Sequence, residues 1–224
     1  MKLKVKLSWL GYLILIPSLL LNGWQFWQSK SQQTTYLVKE VIDGDTFVTD
    51  NKIKVRLANL DAPALEFCGG KEAKQLLEEL ILNKRVKLET FNLDVFKRLL
   101  AYVYVDQKFV NQLLLESGWV EYERGGKNYI KERLRQIYLS AMEQEKGIFR
   151  SPCTQKENPN DRKCVIKGNI GRDDKSKLYH FPSCRDYDQV LVEMFRGEQW
   201  FCNEKEAQAA GYIKAKTCYN ENQQ

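Results

Sequence analysis

The sequence contains little histidine, methionine and proline, with 1, 3 and 5 of these residues among 224. A single histidine excludes a histidine-rich metal site, and a serine or cysteine hydrolase with a histidine base would depend on His180 alone. A composition of 43% hydrophobic and 29% charged residues excludes disordered, collagen-like and multi-span membrane proteins. A chain of 224 residues is long enough for one ordinary domain and a smaller unit.

Positively charged residues are only slightly more numerous than negatively charged ones. The chain has 35 lysine and arginine residues against 29 aspartate and glutamate residues, which gives a formal net charge of +6. This excess suits a phosphate-rich partner such as DNA or RNA, but it is too small to identify one. The kind of partner has to be inferred from motifs, and no protein partner can be inferred.

A long uncharged stretch, Leu7 to Gln28, follows three lysines in the first six residues. A basic flank before an apolar run is typical of an export signal. At about 1.5 Å per residue the stretch just spans a hydrocarbon core of about 30 Å, and no small-residue cleavage site follows it. We predict a transmembrane signal anchor over residues 1–30, with the rest of the chain membrane-anchored and extracytoplasmic. A cleaved signal peptide is the alternative, because Pro17 interrupts the apolar part.

Residues 36 to 151 show strand patterns and then helix patterns. Strands are indicated by period-two alternation between turn residues, and helices by apolar residues at i, i+3 and i+4. The predicted strands are 36–42, 46–49, 53–57, 86–90 and 99–105, and the predicted helices are 73–82, a short helix from Phe109 that ends at Gly118, and 129–146. Five short strands with a helix between the third and fourth predict an OB-type β-barrel with three helices.

We predict three units after the anchor. The barrel domain takes residues 31–151, and a polar linker with two prolines takes 152–163. Residues 164–224 form a small α+β, cysteine-rich C-terminal domain with too few apolar residues for a large core. A unit of this size needs disulfides or a metal for stability.

Charged residues at the ends of the predicted strands form a candidate site. Asp43 and Asp45 share a tight turn, Arg56 lies in the third strand, and Asp61 follows that strand. Carboxylates together with a backbone carbonyl suit Ca²⁺. A guanidinium beside a metal suits a phosphodiester, and Arg98 at the start of the fifth strand offers a second one. Each signal alone is weak, because Asp-Gly-Asp is common in turns.

The segments 41–47, 55–63 and 94–104 together resemble the staphylococcal nuclease (thermonuclease) family, and the resemblance extends from about residue 36 to residue 151. It implies a Ca²⁺-dependent phosphodiesterase that cuts DNA and RNA on an OB-type barrel. It also implies roles for individual residues. The implied metal ligands are the carboxylates of Asp45 and Asp61 and the carbonyl of Ala62, with Asp43 close by, and the implied phosphate ligands are Arg56 and Arg98.

Ala64 departs from the family pattern. The family has a glutamate directly after the proline, where it is held to activate the attacking water, whereas Pro63 is followed by alanine here. General-base help is worth about 10²–10⁴ in rate, or roughly 3–5 kcal/mol of barrier. Glu66 is a candidate replacement, and its alternative interpretation is a solvated loop charge. The resemblance thus leaves two functions, an impaired nuclease and a catalytically inactive barrel that binds nucleic acid or a cell-surface ligand.

Further residues are candidates for substrate binding. Phe96 and Tyr122 are candidates to stack on a base or sugar, and Lys97, Lys127 and Lys131 are candidates to contact phosphates. The alternative is that the aromatic residues belong to the core and the lysines to a solvated face.

The C-terminal cysteines favour disulfides over zinc. No Cys-x-x-Cys pair is present, and structural zinc sites normally have one. The tail resembles a small module often found behind thermonuclease domains, and segments 178–184 and 200–212 are similar to the zinc-binding module of bacterial DNA alkylation-repair regulators. Matching to that module places His180 and Ala215 at two of its four cysteine positions, which breaks a four-ligand site.

We favour three disulfides as a hypothesis. The pairings are Cys164–Cys202, Cys184–Cys218 and Cys68–Cys153. Sequence alone cannot prove them, because six cysteines allow 15 pairings. An incomplete zinc site of His180, Cys184 and Cys218 is the alternative.

Overall fold

The computed structural model describes residues 35–123 and 129–218. From Tyr36 onward the chain clusters as one compact unit. The strands are β1 Thr35–Val41, β2 Thr46–Thr49, β3 Lys54–Leu57, β4 Leu60–Asp61, β5 Arg85–Leu93, β6 Leu99–Val105, β7 Lys108–Phe109, β8 Glu121–Tyr122, β9 Thr154–Gln155, β10 Ile166–Ile170, β11 Lys177–His180, β12 Val192–Glu193, β13 Gln199–Phe201 and β14 Ile213–Lys214. The α-helices are α1 Gly70–Ile81, α2 Val110–Ser117, α3 Tyr129–Glu143 and α4 Glu204–Ala209.

Five strands close into a barrel. The sheet order is β3-β2-β1-β5-β6-β7, and an additional pairing of β3 with β6 closes the first five of these strands, with β7 attached to β6 outside the ring. The closing pair is parallel and places Arg56 opposite Leu100, whereas β1–β2, β2–β3 and β5–β6 are antiparallel. Helix α1 follows β4 in the chain and precedes β5. The predicted OB-type barrel with three flanking helices is therefore confirmed.

The barrel core explains why α1 forms where it does. Ala73, Leu77 and Ile81 are fully buried against the barrel core, and their spacing of four residues puts them on one helix face.

Gly118 ends α2 in the left-handed conformation with φ 74°, and a Cβ there would lie 2.6 Å from the Lys146 carbonyl oxygen. Glycine is needed at this close approach.

A two-residue ladder was missed by the sequence prediction. Strand β4 pairs with β8 and places Leu60 opposite Tyr122 and Asp61 opposite Glu121. Strands of two residues show no alternation, so only the folded chain reveals them. The pairing brings Glu121, at the start of β8, beside Asp61.

The C-terminal part forms a four-stranded sheet of order β13-β10-β11-β14. Its buried hydrophobic cluster consists of Ile166, Tyr179, Phe201, Ala207 and Tyr212. A core this small leaves much of the stability to covalent links.

The structure contains the three predicted disulfides, Cys68–Cys153, Cys164–Cys202 and Cys184–Cys218. Disulfides are typical of proteins that fold in oxidising compartments. Because Cys184 and Cys218 are bonded to each other, they are not available as thiolate ligands, and the alternative zinc site with His180 is not supported. Cys164 and Cys202 lie with Asp161 in a cluster of possible metal ligands, but these two cysteines are also bonded to each other.

Several contacts join the barrel to the cysteine-rich part. Cys153 is linked to Cys68 at the start of α1, and β9, which lies in the predicted linker, pairs with β12. Phe149 and Phe195 have ring centroids 6.2 Å apart, and the Arg196 guanidinium forms an ion pair with Glu121. The predicted domain boundaries stay a prediction, but the two parts are packed together.

The predicted N-terminal transmembrane helix and the membrane-anchored localisation require correction. None of the helices among the described residues combines the length and apolar character that crossing a bilayer needs. The predicted anchor over residues 1–30 lies outside the described residues. The prediction counted uncharged residues, whereas a span requires about 20 predominantly apolar residues in one continuous helix.

Removing the Cys68–Cys153 disulfide between the barrel and the linker should destabilise the protein. Cys68 and Cys153 are 85 residues apart, and a link across a loop of this length reduces the conformational freedom of the unfolded chain. We expect replacement of both cysteines by serine to lower the free energy of unfolding by about 2–5 kcal/mol, measured by denaturant titration. An unchanged unfolding midpoint would show that the link does not restrict the unfolded chain.

Glu198 should make stability depend on pH. Burial raises the pKa of Glu198 from 4.5 to about 7, although the backbone N–H groups of Ile170 and Glu193 donate to its carboxylate. Between these two pH values the folded protein holds a proton that the unfolded chain releases. The contribution of this proton to the free energy of unfolding is therefore fully present below about pH 4.5 and is lost as the pH rises through about 7.

The comparison protein is the Glu198→Gln variant, which does not titrate at this position. We expect the free energy of unfolding of the parent to rise, relative to this variant, by roughly 1–3 kcal/mol between pH 8 and pH 5. Denaturant titrations at the two pH values measure the difference. Parallel pH profiles for parent and variant would assign the dependence to other groups.

Candidate functional site

The candidate site is built on the turn between β1 and β2. The Asp45 backbone N–H donates to Asp43 Oδ1 at 3.0 Å, which fixes the turn. A Cβ on Gly44 would lie 2.5 Å from the Cβ of Ala73 and 2.8 Å from that of Ala62. Glycine thus allows the turn to pack directly against α1 and the segment after β4.

Asp45 lies at the centre of the site and is only 1% exposed. Its Oδ1 accepts hydrogen bonds from Arg56 Nη1 at 2.5 Å and from the Thr46 hydroxyl at 2.7 Å. Its Oδ2 accepts from the Ala62 backbone N–H at 2.9 Å. The carboxylate is therefore held by three neighbouring segments in one orientation.

Arg56 connects the two predicted metal-binding aspartates. The β2–β3 register places Arg56 opposite Thr46, which directs its guanidinium toward Asp45. The other nitrogen, Nη2, donates to Asp61 Oδ1 at 2.8 Å and to the Leu60 carbonyl at 3.1 Å. Asp45 and Asp61 therefore face the same guanidinium.

Arg98 reaches the same turn from the neighbouring strand. The parallel β3–β6 pairing places Leu99 opposite Val55, so Arg98 enters the site next to Arg56. Its Nε donates to Asp94 Oδ2 at 2.7 Å, and its Nη1 donates to the Thr46 hydroxyl oxygen at 3.5 Å. Because the Thr46 hydroxyl also donates to Asp45, both guanidinium groups are linked to one carboxylate.

Burial sets the electrostatics of the site. It raises the pKa of Asp45 to about 6, even though Arg56 and the Ala62 N–H favour the carboxylate. The positive charge of Arg56 thus does not fully offset the loss of hydration at the Asp45 carboxylate. Asp45, Asp61 and the Ala62 carbonyl offer only oxygen ligands, which is the donor set that Ca²⁺ prefers. This donor set and the elevated pKa fit a further cation at the site.

Ala64 stands at the position where the family resemblance implies a catalytic glutamate. Its side chain lines a cleft of about 1130 Å³ together with Asp61, Ala62 and Pro63. Glu66 is exposed and is not among the residues that line this cleft. The predicted replacement carboxylate therefore does not share the cleft lining with Ala64.

The predicted substrate-binding residues fall in two places. Tyr122 and Lys131 line the cleft. Phe96 is 75% exposed, and the Arg98 guanidinium lies 5.2 Å from the centre of its ring. Lys97 is exposed beside it, and neither Phe96 nor Lys97 lines the cleft. Lys127 lies outside the described residues.

The cysteine-rich part contributes residues to the cleft that no sequence motif indicated. Arg172, Lys175 and Arg196 line its far side, and Glu121 and Glu123 line its near side through the β4–β8 pairing. No local motif marks these residues, because their position depends on how the tail packs on the barrel. The ion pair between Arg196 and Glu121 joins positions 75 residues apart.

Comparison with known proteins identifies relatives of the barrel. A family model described as "Staphylococcal nuclease homologue" matches residues 54–151. An "Uncharacterized endonuclease" of Haemophilus influenzae is 34% identical over 143 residues, which covers 60% of this chain and 76% of that protein. A "Thermonuclease" of Staphylococcus hyicus is 30% identical over 133 residues, which covers 54% of this chain and 79% of that protein. An "Uncharacterized endonuclease" of Escherichia coli is 31% identical over 118 residues, which covers 50% of this chain and 74% of that protein.

Proposed function

Because the chain belongs to the staphylococcal nuclease family, we propose that it hydrolyses phosphodiester bonds of DNA or RNA at the site around Asp45. The observation that carries the proposal is the position of Arg56. Its guanidinium joins Asp45 and Asp61 at 2.5 and 2.8 Å, so a metal-binding pair and a phosphate-binding group converge. A relative named thermonuclease supports the same conclusion.

The carboxylates of Asp45 and Asp61 and the carbonyl of Ala62 would hold Ca²⁺. Bound there, the ion would supply positive charge to the phosphoryl oxygens. Asp43 holds the turn through its hydrogen bond to the Asp45 N–H. The elevated pKa of Asp45 supports this assignment, since burial of the carboxylate is only partly offset by Arg56.

Arg56 and Arg98 bind the phosphodiester. Guanidinium groups form charge-assisted hydrogen bonds with phosphate oxygens, and those held in place before the reaction stabilise the charge that develops on them. Arg98 Nε donates to Asp94 Oδ2 at 2.7 Å, and this contact orients the Arg98 side chain. That contact keeps the guanidinium beside Thr46, where a phosphate near the turn would meet it.

Ala64 limits the rate of hydrolysis in this proposal. Its methyl group lines the cleft beside Asp61 and cannot accept a proton from water. Glu66 is exposed and is not among the residues that line the cleft, so we assign it no role as a replacement base. We therefore expect slow turnover with retained binding of nucleic acid.

A catalytically inactive binding protein is the second candidate function. The position of Ala64 in the cleft favours it, because the general base that the family resemblance implies is absent there. This barrel would bind nucleic acid through Arg56 and Arg98 without cleaving it.

A cleavage assay on labelled single-stranded DNA and RNA tests the proposal. With Ca²⁺ we expect slow cleavage that a chelator abolishes, and we expect Asp61→Asn to abolish it as well. Because Asp61 is exposed, this substitution should leave the fold intact. Absence of Ca²⁺-dependent cleavage, together with unchanged binding on addition of Ca²⁺, would overturn the nuclease proposal.

A further inference from the structure

The cleft beside the candidate site has walls from two parts of the chain. One wall is the barrel, from Asp61 to Ala64 and at Tyr122, and the other is the cysteine-rich part, at Arg172, Lys175 and Arg196. The volume of about 1130 Å³ exceeds the upper end of the range for drug-sized ligands, about 1,000 Å³. The cleft has room for more than the single ester group that the metal site would hold.

The second wall is fixed against the barrel. The Cys68–Cys153 disulfide ties the segment before α1 to the linker, where the Cys153 carbonyl accepts from the Met194 N–H of the cysteine-rich part at 2.8 Å, and Arg196 pairs with Glu121. Gly197, with φ 79°, lies against the ring of Phe67, because a Cβ on it would come within 2.6 Å of that ring. A wall held in this way requires little ordering when a ligand binds.

The cations of this wall differ in their partners. Arg196 is neutralised by Glu121 and Glu193, so its role is structural. Arg172 contacts Glu193 at 3.0 Å and has a side-chain hydrogen bond with Tyr138, but its side chain is 48% exposed. Lys175 is exposed, and it forms no hydrogen bond or ion pair with any described residue. Arg172 and Lys175 are therefore the cations of this wall that remain accessible to a ligand.

The loop that carries these cations is ordered by its own contacts. The Asp174 carboxylate accepts hydrogen bonds from the Ser176 N–H at 3.0 Å and from its hydroxyl at 2.9 Å. The Gly171 N–H donates to the Ser176 carbonyl at 2.8 Å. The loop thus presents its positive charges from a closed turn.

The barrel wall supplies aromatic surface opposite these charges. Tyr122 and Phe67 both line the cleft, and Phe67 is 38% exposed. Aromatic rings that stack with bases, combined with cations that contact the backbone, are the usual means of binding single-stranded nucleic acid.

We propose that the cysteine-rich part binds the single-stranded segment of nucleic acid that continues from the scissile phosphate, with Arg172 and Lys175 contacting its backbone phosphates. The proposal rests on the nuclease function of the neighbouring site, which fixes where the strand begins. The tail thereby extends the substrate-binding surface beyond the barrel.

The test uses the full chain and a fluorescein-labelled 12-nucleotide oligothymidylate. The variant Arg172→Gln/Lys175→Gln removes the two proposed phosphate contacts. We expect it to weaken binding roughly tenfold in fluorescence anisotropy, and to reduce the slope of log affinity against log salt by about 1.4, or about 0.7 for each lost contact. Cleavage of the small diester bis(p-nitrophenyl) phosphate should stay unchanged, since it does not reach the second wall.

The matched control is Arg162→Gln/Lys163→Gln, which removes one exposed arginine and one exposed lysine that do not line the cleft. An equal loss of affinity in both double variants would overturn the proposal, because the effect would then follow net charge alone. Lys175→Glu removes no contact with another described residue, so it should leave the fold unchanged. It should also weaken binding of the oligothymidylate. Unchanged affinity of Lys175→Glu and of the double variant would overturn the proposal.

This experiment separates the two proposals. If the parent cleaves DNA with Ca²⁺ and the double variant binds the oligonucleotide as the parent does, the proposed role of the tail fails and the nuclease function stands. If the double variant loses affinity but the parent never cleaves, the nuclease function fails and the binding surface stands.

Discussion

Replacing Ala64 with glutamate is expected to raise Ca²⁺-dependent cleavage of single-stranded DNA at least tenfold. The side chain at position 64 lines the cleft beside Asp61, and it is exposed, so a longer residue fits without disturbing the core. A carboxylate there would accept a proton from the attacking water. General-base help is worth about 10²–10⁴ in rate, and the upper part of this range requires accurate placement.

Ala64→Gln is the matched control for this gain, since glutamine has nearly the same shape as glutamate and cannot act as the base. We expect the glutamine variant to cleave at the rate of the parent. Equal rates for all three proteins, with no Ca²⁺ binding, would reject the enzyme interpretation and leave the inactive binding protein.

Arg98→Ala, introduced together with Ala64→Glu, should lower the cleavage rate by about 10²–10³. Arg98 is held beside Thr46 by Asp94, where its charge is directed to a phosphate at the turn. Removing one preorganised group that stabilises developing charge typically costs this factor. The Ala64→Glu background provides a rate high enough for the loss to be measured.

Two controls accompany the arginine substitution. Arg98→Lys keeps the charge but loses the planar pair of donors, so partial activity is expected. Arg85→Ala removes an exposed arginine at the start of β5, and it should leave the rate unchanged. A similar loss in both alanine variants would mean that general charge, and not placement at the site, determines the rate.

The barrel and the candidate site could largely be predicted from local sequence. Strand alternation and the helical spacing of Ala73, Leu77 and Ile81 are short-range signals, and the structure has the corresponding elements. The proximity of Asp45, Arg56 and Asp61 follows from turns that join neighbouring strands. The contacts of Arg56 with these aspartates span 11 and 5 residues, so the order of motifs along the chain is enough to predict them. The approach of Arg98 to Thr46 spans 52 residues and depends on the pairing of β3 with β6.

The cleft could not be predicted in this way. It depends on the β4–β8 pairing between Asp61 and Glu121 and on the ion pair of Glu121 with Arg196. Such contacts join segments that are distant in sequence and carry no repeating pattern. The disulfide partners were identified as a hypothesis, but the face that the tail presents to the barrel was not.

The most direct test of the account is the coupling between Ca²⁺ and nucleic acid. The central claim is that Asp45, Asp61, Arg56 and Arg98 form one site in which an ion and a phosphodiester are bound together. Titration calorimetry of the full chain with Ca²⁺, with and without a 12-nucleotide oligothymidylate, measures this coupling. We predict that each ligand increases the affinity of the other by the same factor, and that Asp61→Asn removes the effect. Equal Ca²⁺ affinity with and without the oligonucleotide would contradict the account.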